Sequence, residues 1–323
     1  METIRRGCDT LAGVRSAIEN DCQIAGQAEA PILIYQAGKV ASTSVAFTIK
    51  HLLPQAEVIH VHGLTAEFWR RMHSYGDGNR DGRPFLDACR IMEHEALQLS
   101  LRVDASRCVP LAERGWKWRV ITITREPIAQ TLSGLFHLSE YVIASLADKH
   151  GNHSKALNRI DAALRGQIEQ YRSGSTEEPK DFIEQACRNS FDHIDQWFDY
   201  EVKDVFGSDL YARPYDFNRG YARFQTDLAD VLVLRFEDMF QHLDEALGEF
   251  LGFPSAEVKA SQQTRNKTDA KPAGEAFAEY LRTLVLPREF LDTRYDSKYS
   301  RHFYTPEELE KFKTRWSTVN EKK

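Results

Sequence analysis

Cysteine is scarce in this chain, and its pattern argues against most of the work that cysteine does elsewhere. The five (Cys8, Cys22, Cys89, Cys108, Cys187) are widely spaced, odd in number and without a CxxC pair. That pattern disfavours a disulfide framework or a thiolate zinc site and fits small buried hydrophobes in a reducing compartment. Long apolar runs are missing too. No stretch approaches the roughly 20 residues that a membrane helix needs, and the N-terminal segment has no apolar core of signal-peptide length. The expectation is a cytoplasmic protein that does not span a membrane. An excess of positive charge is also absent, since 42 Lys and Arg stand against 48 Asp and Glu, for a net charge of -6. A general nucleic-acid binder needs a broad basic surface, so nucleic acid is not the expected partner, although a local basic pocket is compatible. No internal repeat and no low-complexity tract appears. What is present is 42% hydrophobic and 28% charged residues over 323 positions, enough for a sizeable core.

The order of elements points to an α/β protein. After a polar lead-in over residues 1–30, "PILIYQ" reads as a strand that is apolar on both faces, the signature of an interior parallel strand. A helix is expected from about Thr43 to Leu53, then a strand "EVIHVH" over residues 57–62. "GDGNRDGRP" has loop composition, a helical pattern resumes after it, and "WRVITITREP" supplies a third buried strand, with Pro127 set to open a helix. Residues 155–206 read as mostly helical. A hairpin-like region precedes the strand "ADVLVLRFED", and helices fill the rest. Alternating strands and helices predict a central, mostly parallel sheet flanked by helices. We read residues 31–323 as one domain with a helical insertion at about 145–225.

Two stretches carry chemistry. In "YQAGKVASTSV" Gly38 permits a sharp turn, Lys39 supplies a charge, and Ser42, Thr43 and Ser44 supply hydroxyls where a helix begins. Together these form an anion cradle. The nucleotide-triphosphatase version, GxxxxGK[ST], needs a hydroxyl directly after the lysine to hold magnesium, and Val40 stands there instead. In "VITITREPIAQTLSGLF" Arg125 ends a buried strand, and Ser133 follows about two helical turns later. A guanidinium there can grip a phosphate, or it can pair with Glu126.

Together the two stretches resemble the sulfotransferases that use 3'-phosphoadenosine 5'-phosphosulfate. The resemblance implies a P-loop-containing nucleotide hydrolase-like fold. It implies that Gly38, Lys39, Ala41, Ser42, Thr43 and Ser44 hold the 5'-phosphosulfate, and that Arg125 and Ser133 hold the 3'-phosphate. "LRFEDM" is similar to the family's late strand ending in an aromatic-Glu-Asp triplet. More narrowly, "WFDYEVKDVFGSDLYARPYD" and "SKYSRHFYTPEEL", with the two stretches above, resemble a bacterial group of sulfotransferase-like capsular polysaccharide synthesis proteins. That likeness implies a carbohydrate acceptor, with the donor nucleotide as co-substrate and no metal. Ala41 stands where such loops often carry a second glycine. In the tail loop "TRNKTDAKP", Lys271 is the candidate to close over the 3'-phosphate, with Arg265 and Lys267 as alternatives.

For a base, His60 and His62 repeat at the two-residue period of a strand face, and His62, last before Gly63, is the candidate, with a hydrogen-bonded structural histidine as the other reading. Glu93, His94 and Glu95 are alternatives. A histidine pair binding zinc is a further reading, weakened by the lack of a third ligand. Trp197, Phe198, Tyr211, Tyr215 and Tyr221 could line a sugar site or belong to the core. Two other functions stay open, a P-loop kinase or nucleotide hydrolase and a non-catalytic nucleotide-binding relative.

Overall fold

The computed structural model describes residues 31–76, 82–145, 152–175, 177–262 and 274–318. The lead-in over residues 1–30 and the tail-loop cations Arg265, Lys267 and Lys271 lie outside the described residues.

The sequence periods produce the expected alternation. Strand β1 spans Ile32–Tyr35, followed by α1 (Ser42–Leu52), β2 (Val58–Val61), α2 (Ala66–Gly76), α3 (Arg83–Arg107), β3 (Trp118–Thr124), α4 (Pro127–Ser145), α5 (Asn152–Ser173) and α6 (Phe182–Trp197). A π-helical turn, Phe198–Lys203, continues α6. Then come β4 (Tyr221–Gln225), β5 (Ala229–Arg235), α7 (Met239–Leu251), α8 (Ser255–Ser261), α9 (Gly274–Thr283), α10 (Arg288–Tyr295), α11 (Lys298–Phe303) and α12 (Pro306–Ser317). Among the described residues no helix is long and apolar enough to cross a membrane.

The five strands form one sheet in the order β2-β1-β3-β5-β4. All neighbours are parallel except β4, which pairs antiparallel with β5 as a hairpin, Tyr221 opposite Leu234. From β1 the chain crosses outward to β2 and then back over to β3 on the other side. The β1/β3 boundary is therefore the point where the strand order reverses, and open α/β sheets form a crevice there beyond the strand carboxyl ends.

Strand alternation divides the core in two. Ile32, Ile34, Ile121, Ile123, Leu232 and Leu234 face one side and pack against α1, α7 and Val258 of α8. Leu33, Tyr35, Trp118, Val120, Val231 and Val233 face the other side, which α2 to α6 and the C-terminal helices cover. Both faces of β1, β3 and β5 are buried, as the doubly apolar strands require.

The C-terminal segment is tied to the sheet by charge. The Arg235 guanidinium, at the end of β5, is buried and donates to both Glu308 oxygens, at 2.8 and 2.7 Å, and to the Phe303 carbonyl at 2.9 Å, and it pairs with Asp238. Thr305 and Glu308 form a capping box at the start of α12, which holds the carboxylate where Arg235 needs it.

Candidate functional site

The loop after β1 is strained by design. Gly38, Lys39 and Ala41 have φ of 99°, 60° and 62°, the left-handed region. For residues with a Cβ this costs about 1–2 kcal/mol each. The loop is held against that cost from several directions. Gly38 donates its N–H to the Gln36 side chain. Gln130 of α4 donates to the Gly38 carbonyl at 2.9 Å, and Arg125 Nη1 donates to the Lys39 carbonyl at 2.7 Å. Val40 is fully buried, so the position after the lysine anchors the loop and offers no hydroxyl.

This backbone aims α1 at the crevice. The helix begins at Ser42 with no side-chain cap and no acidic residue in its first turn, so its positive dipole end faces the crevice, with the Ser44 N–H bonded to the Ala41 carbonyl at 3.0 Å. Thr43 and Ser44 line the same crevice. Ser42 is committed elsewhere, since its hydroxyl lies 2.9 Å from His60 Nε2 and 3.0 Å from Gln36 Nε2.

Arg125 leaves β3 at the same edge of the sheet as Lys39. Its guanidinium lies 4.4 Å from the centre of the Phe236 ring, and its Nε is buried with no hydrogen-bond partner among the described residues. The pairing of Arg125 with Glu126 allowed by the sequence is not what forms. Glu126 instead caps α4, accepting from the N–H of Ile128 and Ala129 at 2.7 and 2.8 Å, and also from Tyr295 and Trp316. Glu237 is likewise occupied, with the Glu126 N–H at 2.9 Å and the Tyr304 hydroxyl at 3.1 Å. Burial lowers the proton affinity of Arg125, and the charges of Glu237 and Glu126 oppose that. Ser133 lines the same crevice, and a Cβ on its neighbour Gly134 would lie 4.0 Å from Lys39 Cγ. Lys39, Thr43, Ser44, Arg125 and Ser133 thus share one cleft of about 1030 Å³.

On the β2 side, His60 and His62 lie with ring centres 5.2 Å apart, one face as the two-residue period requires. His62 Nδ1 sits 3.1 Å from the Gln36 carbonyl. Gln36 Nε2, a donor, lies nearer to the same Nδ1 at 2.9 Å, so Nδ1 either donates to the carbonyl or accepts from the amide. Burial lowers the His62 pKa below the usual histidine value, against the Gln36 hydrogen bond, and Lys39 and His137 lower it further. His60 drops to about 4 chiefly by burial, and His193 to about 3 for the same reason. All three imidazoles are therefore neutral near pH 7. Among the described residues no group of three or more His, Cys, Asp or Glu is arranged to hold a metal ion.

Glu201 shows what pins this loop. Buried in the π-helical turn, it accepts from the Leu64 N–H at 2.9 Å, the Thr65 N–H at 3.3 Å, the Thr65 hydroxyl at 2.6 Å and the Tyr35 hydroxyl. Burial pushes its pKa up to about 8 against the Leu64 and Thr65 donors. Trp197 Nε1 donates to the His62 carbonyl at 3.0 Å. The "WFDYE" stretch therefore fixes the chain around His62.

The remaining candidates are dispersed. Glu93 pairs with His73 at 2.7 Å, His94 is exposed, and exposed Glu95 lines the cleft. Trp197, Phe198, Tyr215 and Tyr221 are core residues, Tyr211 is half-buried, and none of the five lines the cleft. Reasoning from sequence missed Gln36, Gln130, Glu201 and Tyr299. Only Gln36 offered a signal, a polar side chain between an apolar strand and a Gly-Lys turn.

Fold and site define an α/β protein with a cleft, lined by Lys39, Arg125 and hydroxyl side chains, at the switch point of a mostly parallel sheet. A family model described as "NKWYS: Putative capsular polysaccharide synthesis protein" matches residues 181–305. No curated protein and no solved structure matches the chain. The matched span holds Glu201, Arg235, Glu237 and Tyr299, which brace the cleft, while Lys39, His62, Arg125 and Ser133 precede it.

Proposed function

We propose that this protein is a sulfotransferase with a P-loop-like fold, moving a sulfuryl group from 3'-phosphoadenosine 5'-phosphosulfate to a hydroxyl of a carbohydrate-related acceptor. The observation that carries the reading is the 2.7 Å hydrogen bond from Arg125 Nη1 to the Lys39 carbonyl. It locks two cationic segments, 86 residues apart, onto one cleft. A donor with phosphate at the 5' and 3' positions matches two such sites. In this reading the loop from Gly38 to Ser44 holds the phosphosulfate, with Ala41 supplying a glycine-like turn, and Arg125 and Ser133 hold the 3'-phosphate. Lys271, outside the described residues, is the proposed closing cation.

Bound there, the donor supplies the sulfuryl group. The side chains supply the rest. Lys39 and the start of α1 neutralise charge on the leaving phosphate oxygen, and neutral His62 accepts the proton of the attacking hydroxyl. The polysaccharide family match supports a carbohydrate connection. The magnesium-dependent alternative is disfavoured by residues. Val40 is core, and both carboxylates of "RFED" are engaged, Glu237 by Glu126 N–H and Tyr304, Asp238 by Arg235.

Melting curves test the proposal. Adenosine 3',5'-bisphosphate raises the melting temperature in EDTA, whereas ATP with magnesium does so weakly or not at all. A larger shift with magnesium ATP would replace this reading with a kinase or hydrolase.

A further inference from the structure

The cleft continues from Lys39, Ser44 and Arg125 to residues of α2 and α3, and this far arm has a distinct chemistry. Along the carboxyl edge the sheet order sets a row: His62 after β2, the Lys39 loop after β1, Arg125 after β3, Phe236 after β5. Neighbouring strands are about 4.8 Å apart, so His62 and Arg125 flank the lysine loop on opposite sides. β2 is the edge strand, and the cleft continues around its free side. An acceptor whose hydroxyl reaches His62 must have its body there.

That arm is walled by Phe68 and Met72 of α2 and by Phe85, Met92 and Leu99 of α3, with Val61 of β2 opposite. The apolar wall begins at the residue after His62. The Phe68 ring lies so close that a Cβ on Gly63 would fall 2.0 Å from it. The wall stays apolar to the mouth, where Met92 is 37% exposed. Glu57 and Arg102 neutralise each other at 2.9 Å, Glu95 and Gln98 stand at the rim, and His60, Tyr75, Ser190 and His193 also line the cleft. A bare saccharide would press its hydroxyls against aliphatic and aromatic carbon, at about 1–3 kcal/mol for each one left unpaired. Alkyl or aryl surface gains about 25 cal/mol per Å² there.

We propose that the acceptor is a sugar carrying an alkyl or aryl body, as in an alkyl or aryl glycoside. The body fills the arm between β2 and α3. This rests on the assignment of Lys39 and Arg125 to the sulfate donor. The acceptor oxygen forms a bond to sulfur as the bond from sulfur to the 5'-phosphate oxygen breaks. The hydroxyl proton passes to the His62 imidazole, and adenosine 3',5'-bisphosphate leaves with the bonding electron pair.

The test compares sulfate transfer from the donor to octyl glycosides below their micellar concentration and to aryl glycosides with transfer to methyl glycosides and oligosaccharides. The expected kcat/KM is at least tenfold higher for the apolar-bodied compounds. Met92→Glu removes most of that preference and keeps the melting shift with adenosine 3',5'-bisphosphate. Met72→Gln, at a half-buried position, gives the same loss if Met92→Glu folds poorly. Two outcomes overturn the inference alone: methyl glycosides or oligosaccharides turned over as well as the octyl compounds, or a nucleotide shift with no apolar acceptor turned over. A missing nucleotide shift in the unmodified protein instead removes the donor assignment.

Discussion

The Tyr299 hydroxyl accepts the backbone N–H of Arg125 at 2.9 Å and donates to the carbonyl of the same residue at 2.8 Å. One buried side chain, stacked on Phe198 and edge-on to Phe303, thus closes both backbone groups at the tip of β3 and sets the direction in which Arg125 leaves the strand.

Tyr299→Phe removes both bonds while keeping the ring. A buried backbone group left unpaired costs about 1–3 kcal/mol, and part of that appears as misdirection of Arg125. Affinity for adenosine 3',5'-bisphosphate is expected to fall about tenfold, equivalent to about 1.4 kcal/mol. Adenosine 5'-phosphosulfate, which lacks the 3'-phosphate, should lose less than twofold. Calorimetric titration of both nucleotides distinguishes this from a general loosening, which would weaken both alike.

Ala41 sits at φ 62° without glycine's freedom. Ala41→Gly relieves about 1–2 kcal/mol of left-handed strain and gives back about 0.4–1 kcal/mol through the freer unfolded chain. The net expectation is a gain of about 0.5–1 kcal/mol in urea unfolding. A loss of stability would mean that the alanine methyl makes packing contacts worth more than the strain.

The β1 loop was legible in the sequence because its chemistry is local: glycine, lysine and hydroxyls stand within seven positions. Arg125 was legible because strand ends and helix starts carry their own signals. His62 was legible from the two-residue period, although the strand stops at Val61, one residue earlier than read. The brace was not legible. Glu201 meets Tyr35 across 166 positions and Tyr299 meets Arg125 across 174, and no local pattern encodes such a partner. The aromatic run from Trp197 to Tyr221 is as compatible with a sugar platform as with a core, and long-range packing decided for the core.

His193 predicts how stability responds to acid. It is 6% exposed, and burial lowers its pKa to about 3. Its folded pKa lies below the unfolded value of about 6.5, so the unfolded chain binds the proton first and stability falls as pH drops from 6.5 towards 3. Between pH 6.5 and 5 the loss from this group is about 2 kcal/mol. His193→Gln should flatten that slope in a pH series of denaturant melts. An unchanged slope would mean that His193 is solvated.

Arg235 predicts a structural failure. Arg235→Met strands Asp238, Glu308 and the Phe303 carbonyl, and breaking one side of a buried ion pair costs about 3–5 kcal/mol. A shift in the urea midpoint worth under 1 kcal/mol would show the cluster to be effectively exposed.

Isothermal titration of adenosine 3',5'-bisphosphate in EDTA tests the central claim most directly, with the unmodified protein, Lys39→Ala and Arg125→Ala side by side. One site per chain is predicted, weakened at least tenfold by either substitution, with adenosine 5'-phosphosulfate sensitive to Lys39→Ala and nearly indifferent to Arg125→Ala. No heat of binding in the unmodified protein, or binding that neither substitution weakens, would contradict the account.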